Sequence, residues 1–143
     1  MLLKNHLVKL FIFMLLMMFP ACDQQTQDVS NLISQGSWTI SNITSNSATP
    51  PPTALISTEV IFANGGVEMS GPCNQMGGFY EVDEAGKVTR AEVHMTLKDC
   101  NSMDEQEVAL LQYFHESSQL SFDGEQLIMQ SSQGEIHFIQ NSE

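Results

Sequence analysis

The sequence predicts a mainly β domain of the α+β kind: a curled antiparallel sheet, or a partly open β-barrel, with one α-helix packed on it. Three observations carry that prediction. Short apolar runs are separated by Asn-Gly, Asp-Gly and other glycine-bearing turn signals, the mark of consecutive hairpins. In "RAEVHMTL", Ala91, Val93, Met95 and Leu97 alternate with Arg90, Glu92, His94 and Thr96, which is the period of a half-buried strand. Only one segment, "NSMDEQEVALLQYFHESSQ", has its apolar residues at helical spacing instead.

The elements follow in order. The chain opens "MLLKNHLVKLFIFMLLMMFPACDQ", with Lys4 and Lys9 ahead of an apolar run from Leu10 to Phe19. That layout is expected for a secretory signal over residues 1–21. The run is too short to span a bilayer, which needs about 20 apolar residues, and Pro20 interrupts any continuing helix. "FPAC" resembles a bacterial lipobox, although Phe19 and Pro20 depart from the usual leucine and small residue. The resemblance implies that Cys22 is lipidated and heads the mature protein. Several acyl chains hold a protein stably on a membrane where one does not. Asp23 is similar to an inner-membrane retention signal.

Residues 22–36 then read as the lipidated cysteine and a flexible, glutamine-rich tether, reaching about 20 Å as a random coil. The folded domain is expected over 37–141. It begins with a strand at "GSWTI". Pro50, Pro51 and Pro52 follow in a loop that is expected to be extended and superficial, since proline cannot join a sheet ladder. "ANGG" joins "EVIF" to "VEMS", and "DEAGK" joins "GFYEV" to the alternating strand. In the helix, Met103, Leu110, Leu111 and Phe114 form the apolar face. Ser102 and Glu105 fit a capping box, and Asp104 and Glu105 suit the positive end of the dipole. Tyr113 and Phe114 are expected in the core. "FDGEQ" and "SSQG" then punctuate three short strands.

Charge excludes one class of partner. Without residues 1–21, about 122 residues remain, carrying all 17 acids against Lys87, Arg90 and Lys98, a net charge of about −14. Such a chain is repelled by phosphate backbones and anionic headgroups, so nucleic acid is not an expected partner.

The order of these pieces resembles the META (HslJ-like) domain family. The residues that carry the resemblance are Trp38 near the start, the set Gly71, Cys73 and Asn74, then Gly78 with Tyr80, and Thr96 with Cys100 just ahead of the helix. It spans residues 36–140. Pro72 separates Gly71 from Cys73, and Lys98 and Asp99 replace the family's usual residues before Cys100. The resemblance implies an envelope-associated module, often a lipoprotein, linked to stress responses and without enzymatic activity. A lipid-anchored protein facing the periplasm is the expected setting. Asp23 slightly favours the inner membrane, and the outer membrane is the alternative.

Four readings compete for "MSGPCNQMGGFY". Cys73 pairs with Cys100 in an oxidising compartment. Both are free buried thiols. They form a metal site with Met69, Met76 and one of His94, His115 or His137, although no ligand spacing supports it. Or Cys73 is a nucleophile, for which no base or orienting group is recognisable. The plainest expectation is a structural corner, with Gly71, Gly77 and Gly78 allowing close backbone approach. No cofactor is expected. A binding role predicts a concave pocket for a small apolar ligand, or a bare apolar patch for a protein. A metal- or redox-handling role using Cys73, Cys100 and a histidine is the alternative, and a purely structural role predicts no pocket.

Overall fold

The computed structural model describes residues 28–101 and 103–142. The expected signal, Cys22 and Asp23 lie outside the described residues, as does the capping Ser102.

Eight antiparallel strands form a single sheet: β1 (Ser37–Ile43), β2 (Glu59–Ala63), β3 (Gly66–Ser70), β4 (Gln75–Val82), β5 (Val88–Met95), β6 (Ser117–Asp123), β7 (Gln126–Ser131) and β8 (Gly134–Gln140). Their order is β5-β4-β3-β2-β1-β8-β7-β6. The first strand therefore sits in the middle. Trp38 pairs with Val60 on one side, and Ile40 with Phe138 on the other. Two meanders, β2–β5 and β6–β8, flank it. Asn64 and Gly65 both have positive φ, 54° and 72°, in the two-residue turn that the Asn-Gly signal predicts.

The helix α2 (Met103–His115) runs from the end of one outer strand to the start of the other. It thereby brings the two sheet edges together. Leu120 N donates to Gly86 O at 2.7 Å across the seam. His115 Nε2 lies 2.6 Å from Val93 O further along it. The result is a nearly closed barrel. One end is covered by α2 with Leu55, which is fully buried, and the other by a short helix α1 (Val29–Ile33).

Alternation fills the interior. Ile40, Val60, Val67, Leu127, Met129 and Phe138 face inward with essentially no exposure. Phe62 stands 5.7 Å from Tyr80 and 6.1 Å from Phe138, and Tyr80 stands 5.7 Å from Phe114, in tilted and edge-on geometry. Each such side chain removed from water stabilises the fold by about 1.5–3 kcal/mol. Tyr113 and Phe114 lie in this core as expected.

Three expectations need correction. Residues 28–36 are not tether: Asp28 caps α1, and Val29 and Ile33 are buried against the barrel. An apolar pair at i and i+4 suffices to dock one helical turn. The proline loop is not wholly superficial, because Pro52 is buried and leads into a 3-10 turn, Thr53–Leu55, that inserts Leu55. Finally, the alternating strand ends at Met95, two residues before Leu97, which is 90 % exposed. The side chain of Asn74 takes over the backbone of Lys98 there and draws the chain out of the sheet.

Candidate functional site

The corner between β3 and β4 gathers most of the motif residues. Cys73 and Cys100 form a disulfide, with Cα atoms 6.0 Å apart. Beside it lies a residue that the sequence did not single out: Glu107, on α2, is fully buried. Its Oε1 accepts hydrogen bonds from Cys73 N and Asn74 N, both at 2.9 Å, and its Oε2 accepts from Asn74 Nδ2 at 2.7 Å. Asn74, 1 % exposed, completes the lock. Its Oδ1 accepts from Thr96 Oγ1 and Lys98 N, both at 2.8 Å. Gly71 is there because any Cβ would collide with the Glu107 carboxylate.

This network gives Gly71, Cys73, Asn74, Thr96 and Cys100 one shared task. They splice the β3–β4 corner, the end of β5 and the helix together. Every polar side-chain atom of Asn74 and Glu107 has a protein partner, as buried polar groups require. One signal pointed to Glu107. Positions 103, 107, 110 and 114 fall on one helical stripe, so a glutamate stands among apolar residues.

The remaining motif residues are placed elsewhere. Trp38 is buried, and its Nε1 donates to Ile33 O at 2.8 Å, tying α1 to β1. Gly78 has φ of +155° in β4, and a Cβ there would strike Glu92 O on β5. Tyr80 packs between Phe62 and Phe114. Ser117 Oγ donates to Phe114 O, so the Tyr80 hydroxyl donates to Ser117 Oγ at 2.8 Å. Burial pushes the Tyr80 phenol well above its usual range.

The soft-ligand set is not brought together. Met69 and Met76 are buried in the core, while the two cysteines are bonded to each other. His94 is exposed on β5, His115 bonds Val93 O, and His137 lies 3.3 Å from Glu135. Among the described residues, no three His, Cys, Asp or Glu side chains are grouped to hold a metal.

Among the described residues, buried side chains fill the barrel interior, and three openings lie on its surface. A depression of about 290 Å³ sits at the α1 end over Phe62 and Tyr80, and one of about 560 Å³ is framed by Phe122, the β6–β7 turn and Asn141. A groove of about 480 Å³ differs from both in lying on the outer face of a regular sheet, across β2, β3 and β4. Ile61 and Phe79 wall it, 41 % and 52 % exposed, and Ala63, Gly66 and Gly77 floor it. Glu68 stands in it, directly opposite Ile61 on one side and Gly77 on the other. Arg90 stacks over Phe79 at 3.8 Å and is clamped by Glu92 at 2.9 Å and Glu81 at 3.6 Å. The hydrogen bond to Glu92 holds the guanidinium up and the Glu92 carboxyl down.

Comparison with known proteins agrees with this geometry. The model of the META domain family matches residues 30–143. No curated protein matches the chain. Among solved structures, a protein from Burkholderia xenovorans determined by NMR is 15 % identical, with a TM-score of 0.57 over 80 % of this chain and 87 % of its own. A DUF4847 family protein from Bacteroides vulgatus is 13 % identical, with a TM-score of 0.57 over 80 % of this chain and 99 % of its own. A further NMR structure is 17 % identical, with a TM-score of 0.55 over 78 % and 93 %. At such identities these likenesses speak to the fold.

Proposed function

The chain belongs to the META domain family, and from that premise we propose that it is a non-catalytic binding module of the bacterial envelope, docking a protein partner on the outside of its barrel. The observation that carries this reading is the groove between Ile61 and Phe79. Two large apolar side chains left half-exposed beside small residues form an apolar surface that a partner can cover. The motif residues point the same way. They are used in holding the corner, the core and the α1 end, and among the described residues buried side chains fill the barrel, which favours an outer surface over an interior ligand site.

The anchor is lipid on Cys22, with the domain facing the periplasm and Asp23 retaining it at the inner membrane. The lipobox-like "FPAC" supports this, and the Cys73–Cys100 disulfide suits an oxidising compartment. A setting in stress response rests on the family likeness.

Two measurements test the reading. The intact mass of protein extracted from native membranes, alkylated without reduction, is expected to show an acylated Cys22 and no free thiol. A mass retaining residues 1–21 overturns the anchor. A photo-crosslinking side chain at position 61 or 79, in living cells, is expected to give discrete adducts. The same probe at Leu97, exposed past the end of β5 and not among the residues that line the groove, is expected to give none. Equal labelling at all three positions overturns the docking surface.

A further inference from the structure

The groove has a chemistry as well as a shape. Four glutamates rise from the outer faces of its strands and the next: Glu59 on β2, Glu68 on β3, Glu81 on β4 and Glu92 on β5. Arg90 answers them and is already held by Glu81 and Glu92, while His94, opposite Gly77 on β5, interacts with Glu92. Glu68, in the groove itself, forms no ion pair among the described residues. Its neighbours across the sheet, Ile61 and Gly77, leave its carboxylate accessible from above.

Resting on the binding-module reading above, we propose that the groove receives a cationic, apolar segment of a partner protein. An apolar side chain of that segment sits between Ile61 and Phe79, and a neighbouring lysine or arginine pairs with Glu68. The small floor matters here. Gly66 and Gly77 place no side chain between the walls, and a Cβ at either would come within 3.0 Å or 3.1 Å of a neighbouring strand's carbonyl oxygen, so the floor is held small by the sheet itself. A segment laid along the sheet repeats side chains on one face about every 7 Å. That pitch lets one apolar and one cationic side chain of the same strand reach adjacent features of the groove.

Charge complementarity selects this occupant over two others. A second copy of the chain would bring one acidic face against another, on a protein whose full sequence carries a net −12. An anionic lipid surface is repelled by the same glutamates.

The test uses the full-length chain in neutral detergent and a short synthetic peptide of alternating arginine and leucine. Peptides of glutamate and leucine, and of arginine and serine, serve as controls. Titration is expected to show binding of the arginine–leucine peptide alone. Backbone NMR shifts are expected at Ile61, Glu68, Gly77 and Phe79. Ile61→Ser with Phe79→Ser is expected to weaken binding about tenfold or more. Glu68→Gln is expected to weaken it several-fold and flatten its salt dependence. Leu97→Ser, on a still more exposed apolar residue outside the groove, is expected to change nothing. These groove side chains are solvent-exposed, so the variants keep the fold, which circular dichroism checks. Equal affinity for all three peptides, shifts elsewhere on the barrel, dimerisation through the groove, or binding to anionic vesicles abolished by the same variants each overturns the proposal. Crosslinks at positions 61 and 79 without peptide binding refute this partner chemistry and leave the binding module standing. Absent crosslinks refute both.

Discussion

Asn74 and Glu107, 33 residues apart, hold each other fully inside the protein: Asn74 Nδ2 donates to Glu107 Oε2 at 2.7 Å, and Asn74 N donates to Oε1 at 2.9 Å. A turn and a helix are thereby joined by side chains that water does not reach. Glu107→Ala would leave Cys73 N and Asn74 N without acceptors and Asn74 Nδ2 with only the Lys98 carbonyl at 3.4 Å. Unmade buried hydrogen bonds cost about 1–3 kcal/mol each and are partly relieved by entering water. The expected loss is about 3–5 kcal/mol in urea unfolding. Glu107→Gln keeps one acceptor oxygen but turns an amide donor toward another donor, and is expected to lose about half as much. An alanine variant as stable as the parent would show that the corner does not hold the fold together.

The disulfide beside that pair acts mainly on the unfolded chain. Cys73 and Cys100 are separated by 27 positions. Closing a loop of that length stabilises by about 3.6 kcal/mol on the chain-entropy model. Cys73→Ala with Cys100→Ala is expected to lower the urea midpoint accordingly, while near-ultraviolet circular dichroism stays native in the absence of urea. The hydrogen bonds of Glu107 reach backbone rather than sulfur, so the corner keeps its shape without the covalent bond. Loss of native dichroism would give the disulfide a larger role than chain entropy supplies.

Local signals were legible in the sequence, and juxtapositions were not. The turn at Asn64-Gly65, the alternation through Met95 and the helix stripe all follow from backbone preferences a few residues long. The motif residues were recognisable as a set because they recur together, without saying what holds them. Glu107 is the missing centre. Its type suggests solvent, and only the corner arriving from 33 residues away provides its donors. The groove is hidden for the same reason, since Ile61, Glu68 and Gly77 become neighbours only through strand register. Val29 and Ile33 were read as tether because Val29, Leu32 and Ile33 span a single helical turn amid polar residues, too short a run for a periodicity to stand out.

Tyr80 makes stability fall at alkaline pH. Its phenol is raised above the ordinary value of 10.0 by burial, and Tyr113 is raised by burial as well. Below pH 10 both residues are neutral folded and unfolded, so their contribution is fully present. Above pH 10 the unfolded chain ionises them while the folded chain resists, so stability is lost as pH rises toward the folded values. Urea unfolding is expected to show a midpoint that these tyrosines leave unchanged up to about pH 10 and that declines above it. Tyr80→Phe is expected to flatten that decline and to cost about 1 kcal/mol at neutral pH through the lost bond to Ser117. An unchanged slope in the variant would place the alkaline loss elsewhere.

The short helix at the start of the described chain makes the last prediction, because a single indole reports on it. Trp38 is the only tryptophan in the sequence, is 2 % exposed, and donates through Nε1 to the carbonyl of Ile33. Ile33 is itself buried on α1. Ile33→Ala removes side-chain packing at that barrel end and is expected to cost about 2–4 kcal/mol. Ile33→Asp would bury a charge without a partner, so α1 is expected to detach instead. Water then reaches the indole, and tryptophan emission is expected to shift to longer wavelength while the sheet's dichroism persists. Ser34→Ala, one residue on and exposed, is expected to leave emission unchanged. If Ile33→Asp kept blue-shifted emission, α1 would not be what shields Trp38, and residues 28–36 would return to the tether that their composition suggested.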